Sequence, residues 1–213
     1  MKPVDMKTWN RKEIYDFFSG ISDPFYMVSF TVDVTGLKAF TKRHGCSFYY
    51  SLIYLCCKAM SCIENFLYVD NGKQVCMIDQ REPSFTDRKP GSELFHIVSV
   101  PMHEDIIEFC ESAKAASRSQ QCFIDLSKEG CNLAYFSCLP TLRLTALTNE
   151  FDLLSSSFAS DSVPRIAWGK YSQNNGRLEL TISMEVNHRF IDGIHIEKFA
   201  ARLAEMIEKL SEE

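Results

Sequence analysis

The most regular alternation of apolar and polar positions runs from Leu178 to Asn187. Leu178, Leu180, Ile182, Met184 and Val186 share one side, and Glu179, Thr181, Ser183, Glu185 and Asn187 share the other. A period of two predicts a β-strand with its apolar side against a core. Asn175 and Gly176 stand just ahead of it, a pair suited to tight hairpin turns, so residues 165–186 predict a hairpin. Asn71 and Gly72, between the apolar runs "LYVD" and "VCMID", predict a second. "FYMVSFTVDV" is rich in aromatic and β-branched residues and reads as a strand. "SFTDRKPGSELFHIVSVP" reads as strand or extended chain, and "NLAYFSCLP" as a strand that breaks into a loop at Pro140.

Other segments repeat near 3.6 residues. Ile196, Phe199, Ala200, Leu203, Ile207 and Leu210 line one face of a last helix whose other face is charged. Residues 103–120 have helical spacing at Ile106, Ile107 and Cys110, and shorter helices are expected over 6–20 and 34–45, stopped by Gly20 and Gly45. Residues 47–63 predict a mostly apolar helix, too short to span a bilayer and therefore buried in the protein. Some strands are joined by hairpins and others by helices. That mixture predicts an α/β fold, a mixed sheet flanked by helices, with 1–213 as a single domain.

Composition narrows the function classes. Hydrophobic residues make up 46% and charged residues 24%, the balance of a globular chain rather than a disordered one. The net charge is −5 with no long basic run, so nucleic acid is not an expected partner. No segment has the length of a membrane span, and "MKPVDMKTWNRKE" lacks the apolar core of a signal peptide, so a cytosolic, cytoplasmic location is expected. The nine cysteines are odd in number and include no C-x-x-C, which favours reduced structural thiols over disulfides or a zinc site.

His188 is the candidate for chemistry. It is the next residue in the apolar register after Val186, at the end of a strand, where loops build sites. Partial burial there favours the neutral imidazole, the form a base must have. Asp192 and Gly193 follow and suit a helix cap and a tight entry. From spacing alone, His188 is either a packed core histidine or a general base. With Asp192 and His195 it is also a conceivable metal ligand.

"NHRFIDGIHI" resembles the H-x-x-x-D-G signature of the chloramphenicol acetyltransferase family, within the CoA-dependent acyltransferases. The likeness continues in family order along nearly the whole chain. "WNRKEIYDFF" resembles the family's opening, "FTVDVTGLKAF" its first strand and turn, and "SFYYSLIYL" its Lys-Phe-Tyr-Pro helix. "YFSCLP" resembles its Ser-Ala-Leu-Pro segment and "WGKY" its Lys-Tyr pair before the last hairpin.

The resemblance implies a two-layer sandwich assembled as a homotrimer, with active sites at subunit interfaces. It implies acetyl-CoA as acyl donor, no metal, and a small hydroxylated acceptor such as chloramphenicol, the chemistry of antibiotic resistance. His188 would be the general base, with one ring nitrogen bonded to its own carbonyl, and Ser137 the oxyanion donor. Asp192 and Arg11 would pair to hold the loop. Tyr49 and Lys170 would lie near the cofactor, and Phe18 and Tyr26 in the acceptor pocket.

The chain departs from the family pattern around both pockets. Asn187 stands for a histidine, Thr141 for a tryptophan, Tyr135 for an asparagine and Ala167 for a threonine, and the segment 148–164 is long. Arg189 also gives "NHRFIDG" a likeness to dihydrolipoyl acyltransferase catalytic domains, the second enzymatic reading. A non-catalytic ligand-binding protein on the same scaffold is the third.

Overall fold

The computed structural model describes residues 1–151, 153 and 160–211. Part of the long segment 148–164 therefore lies outside the described residues. In chain order the first elements are β1 (Lys2–Pro3), α1 (Lys12–Ser19), β2 (Phe25–Asp33), α2 (Thr35–His44), α3 (Phe48–Ser61) and α4 (Glu64–Leu67). Next come β3 (Tyr68–Asp70), β4 (Val75–Met77), β5 (Glu82–Arg88), β6 (Phe95–Ser99), α5 (Ile106–Ser119) and β7 (Leu133–Cys138). The last are β8 (Arg165–Trp168), β9 (Ser172–Asn174), β10 (Arg177–Asn187) and α6 (Gly193–Lys209).

The main sheet has the order β2-β10-β8-β7-β5-β6, with β9 paired to β10. β7 runs parallel to β5 and β8, while β10 is antiparallel to β2, β8 and β9, and β6 to β5. The sheet is mixed, as the sequence predicts. A small sheet, β1-β4-β3, lies apart from it. At both expected hairpins the glycine has a positive φ, 80° at Gly72 and 81° at Gly176, and Asn175 joins it at 46°. These left-handed values suit Asn-Gly and let the turn follow the strand twist.

One face of the sheet carries the core. Phe85, Phe136, Ile166, Trp168, Ile182 and Met184 meet Leu52, Ile53 and Met60 of α3 and Phe199 and Leu203 of α6, all nearly inaccessible. The apolar α3 is buried over most of its length, including Cys56 and Cys57. Among the described residues no helix is long and apolar enough to cross a membrane.

The polar side of β10 is also covered. Ser183, Glu185 and Asn187 are buried because the chain after β7 crosses over them and bonds to each. Leu147 N donates to Ser183 Oγ (2.9 Å), Asn149 N to Glu185 Oε2 (2.8 Å), and Asn187 Nδ2 to the Asp161 carbonyl (2.9 Å). Buried polar groups persist when they are bonded in this way. The helix expected over 6–20 begins only at Lys12. Before it, the Asp5 carbonyl accepts from the Thr8 and Trp9 backbone in a turn, and Trp9 packs against Tyr15 and Tyr68.

Candidate active site

β10 ends at Asn187, and α6 begins at Gly193. The five residues between them hang on one side chain. Arg11, 6% exposed, donates from Nη1 and Nη2 to the two Asp192 carboxylate oxygens, both at 2.6 Å. Its Nε donates to the Arg189 carbonyl (2.8 Å), and Nη2 also to the His188 carbonyl (2.9 Å). A planar guanidinium suits this task because its donors point in fixed directions. The expected pairing of Arg11 with Asp192 is present, and it extends to the loop backbone. Asp192 also occupies the cap position of α6, where its backbone N–H donates to His195 Nδ1 (2.9 Å). Bonds from Arg11 hold the Asp192 carboxyl below the usual carboxylate range.

His188 sits one residue beyond the strand, its own N–H donating to the Pro24 carbonyl (2.9 Å). Its imidazole packs against Phe18 (ring centroids 4.3 Å apart, 25° between planes) and Tyr26 (4.2 Å, 32°). The side chain is 34% exposed, so the ring is half-buried rather than a packed core histidine. Burial lowers its pKa below the ordinary 6.5; the Asp192 carboxylate opposes that shift and Arg11 adds to it. Burial thus favours the neutral form of the ring. Nε2 lies 3.7 Å from Asp192 Oδ1. The His188 carbonyl accepts from Arg11 Nη2, which fixes the backbone that carries the ring. Tyr26 donates to the Ile191 carbonyl (3.3 Å), and burial raises its phenol to about 12.

Asn187 points to the other side of the strand, as alternation requires. It bonds Arg189, whose N–H donates to Asn187 Oδ1 at 2.9 Å. Arg189 is buried, and its Nη2 donates to the Asp161 carbonyl (2.9 Å). It braces the loop from behind.

Ser137, Tyr49 and Lys170 form a second group, where β7 and β8 end. Ser137 Oγ lies 3.3 Å from Thr86 Oγ1 on the neighbouring strand. Tyr49 donates to the Thr86 carbonyl (2.7 Å) and packs on Trp168, its rings 5.5 Å apart. Lys170 is exposed, and its N–H donates to the Leu142 carbonyl (2.6 Å). The contact needs Gly169, where a Cβ would meet the Leu142 carbonyl oxygen at 2.3 Å. Ser137 also lines a cavity of about 630 Å³ on the face of the sheet opposite α3.

The two groups do not meet within one chain. Ser137 is in register with Ala167, and Ala167 with Ser183. His188 lies five residues further along β10. Two strand spacings across and five residues along place the two Cα atoms roughly 20 Å apart. The contact of Thr86 with Ser137 was not visible in the sequence, because strand register brings it in from a separate segment. Among the described residues no group of three or more His, Cys, Asp or Glu is placed to hold a metal ion.

This architecture is that of an acyltransferase. It superposes on a solved chloramphenicol acetyltransferase with a TM-score of 0.85 at 23% identity, covering 97% of this chain and 99% of that one. The cubic core of the pyruvate dehydrogenase multienzyme complex shares the fold at a TM-score of 0.64 and 18% identity, over 97% and 96% of the two chains. In sequence, chloramphenicol acetyltransferase 3 of Escherichia coli is 26% identical over 205 residues, 95% of this chain and 94% of the relative. A chloramphenicol acetyltransferase of Clostridium perfringens is 24% identical, over 92% of this chain and 90% of the relative. The family model described as chloramphenicol acetyltransferase matches residues 1–204, and the chain belongs to that family.

Proposed function

We propose that residues 1–213 act as one domain that transfers an acetyl group from acetyl-CoA to a hydroxyl of chloramphenicol or a similar small molecule. The observation that carries this is a half-buried imidazole, packed between Phe18 and Tyr26 on a loop fixed by Arg11. His188 takes the proton of the acceptor hydroxyl as its oxygen attacks the thioester carbonyl. The Ser137 hydroxyl donates to the oxyanion of the tetrahedral intermediate. As that intermediate collapses, the new C–O bond remains, the C–S bond breaks, and the proton passes from His188 to the CoA thiolate. Tyr49 and Lys170 serve the donor, the lysine as an exposed cation for its phosphates. Phe18 and Tyr26 line the acceptor side and fix the ring.

The separation of His188 from Ser137 supports a homotrimer, each site joining the imidazole of one subunit to the serine of the next. Exposed apolar side chains flank both halves: Phe17 (68%) and Ile21 (41%) beside Phe18, and Phe95 (52%) and Phe123 (55%) beside Ser137. Arg189, the residue shared with dihydrolipoyl acyltransferases, is committed to Asn187 and Asp161, so it supports the loop whichever acceptor is used.

The test is thiol release from acetyl-CoA with and without chloramphenicol, and with lipoamide in parallel. Acceptor-dependent release that His188→Ala lowers at least a hundredfold is expected. Release unchanged in that variant defeats the base assignment, and ligand binding with no release by the wild type points to a binding protein.

A further inference from the structure

The cavity under Ser137 has a wall built by Tyr135 and Glu129. Tyr135 lies two residues before Ser137, on the same side of β7. Its hydroxyl donates to Glu129 Oε2 (2.9 Å), and Ser99 reaches the other oxygen, Oε1, at 3.4 Å. These two bonds aim the carboxylate and leave acceptor positions open, because an ionised carboxylate takes about four hydrogen bonds.

Arg165 lines the same cavity and does not neutralise it. Its Nη2 is on the Asp161 carboxylate (2.6 Å) and its Nη1 on the Val163 carbonyl (3.0 Å). Its guanidinium also lies over the Phe151 ring at 4.2 Å. Glu150, further round the wall, adds a second carboxylate. The lining thus has excess negative charge. At the mouth, Phe95 and Phe123 meet edge to face, centroids 5.4 Å apart, and offer carbon faces for a ring to lie on.

We propose, on the basis of the acetyltransfer reading above, that the acceptor is a hydroxyl-rich amine of the amino-sugar class. The protonated amine pairs with Glu129, ring C–H groups lie on Phe95 and Phe123, and a hydroxyl extends past Ser137 to the imidazole that completes the site. A nitrophenyl group in the same place brings no donor to the Glu129 oxygens beyond the Tyr135 and Ser99 hydroxyls, so the open acceptor positions gain nothing from it. A phosphorylated or carboxylated acceptor meets like charge. Acetylation falls on oxygen: an ammonium has no lone pair to attack with, and Tyr135 stands one strand period, about 7 Å, from Ser137. An ester C–O bond replaces the thioester C–S bond, and the hydroxyl proton ends on the CoA thiolate.

The experiment compares thiol release by the full chain with three sets of acceptors: methyl glycosides of amino sugars, their N-acetylated counterparts, and chloramphenicol. Wild-type kcat/KM is expected at least tenfold higher for the best amine than for its N-acetylated form or for chloramphenicol, with the ester on oxygen by mass spectrometry. In Glu129→Gln the ratio of amine to N-acetylated acceptor falls about tenfold, the loss expected for one charge-assisted contact. Wild-type preference for chloramphenicol or the N-acetylated forms overturns the inference, as does a ratio unmoved by Glu129→Gln in a variant that melts like the wild type. Turnover of chloramphenicol alone defeats only this inference, whereas no release with any acceptor defeats the acetyltransfer reading itself.

Discussion

Arg11→Ala removes four hydrogen bonds from the loop that carries His188. Two of these join the guanidinium to Asp192 at 2.6 Å, and two go to the Arg189 and His188 carbonyls at 2.8 and 2.9 Å. Breaking a buried ion pair by deleting one partner costs about 3–5 kcal/mol. Here the Asp192 side chain is 32% exposed, so water takes over part of the lost solvation. The carbonyls of His188 and Arg189 lie deeper and regain less. A loss of about 3 kcal/mol is expected, or roughly 6–12 °C in Tm for a chain of this length. Arg11→Lys keeps the charge but not the fork and loses about half as much. Urea unfolding at pH 7 measures the midpoint, and a cycle with Asp192→Asn measures the coupling, expected at about 1–3 kcal/mol. An unchanged midpoint for Arg11→Ala, or strict additivity with Asp192→Asn, refutes the view that this fork sets the loop.

Other outcomes follow from the same geometry. Because burial lowers the His188 pKa, kcat/KM should rise with pH along an acid limb centred below 6.5 and then level off; an acid limb centred at 6.5 or above contradicts the desolvated ring. The His195 pKa is also lowered, chiefly by burial, so between the folded pKa values and 6.5 the unfolded chain binds more protons than the folded one. Stability therefore increases as pH rises through that window and is lost below it, which urea midpoints from pH 5 to 7.5 will read. Gly169→Ala places a Cβ 2.3 Å from the Leu142 carbonyl oxygen, and the forced shift should cost about 1–3 kcal/mol and weaken acetyl-CoA binding through Lys170; wild-type KM and Tm in that variant would show that the two loops are not coupled.

Much of the fold could be read from period and turn chemistry. The alternation in β10, the two Asn-Gly turns and the amphipathic α6 are local patterns, and each appears where local physics puts it. What the sequence hid depends on distant partners. Alternation marked Ser183, Glu185 and Asn187 as a polar side, yet they are buried, because residues 26 to 36 positions earlier supply their hydrogen bonds. Arg81, which no period singles out, is fully buried and donates to five backbone carbonyls, among them Phe66, Tyr68 and Leu133. No periodicity encodes such a hub. At the candidate site, the apolar register led to His188 and the order of motifs led to Arg11, Asp192 and Ser137. That His188 and Ser137 fall in separate groups follows only from cross-strand register, and the Glu129–Tyr135 wall only from the packing of a loop on β7.

The most direct measurement mixes two inactive variants. His188→Ala keeps the serine half of each site, and Ser137→Ala keeps the imidazole half. Unfolded together in equal amounts and refolded, they would, in the proposed homotrimer, give mixed assemblies in which about a quarter of the interfaces pair an intact imidazole with an intact serine. The account predicts that acetyl-CoA thiol release recovers to about a quarter of the wild-type rate, while each variant refolded alone stays near its own low rate. Mixed samples no more active than the separately refolded variants would contradict it, because His188 and Ser137 would then not complete one another's site across a subunit boundary.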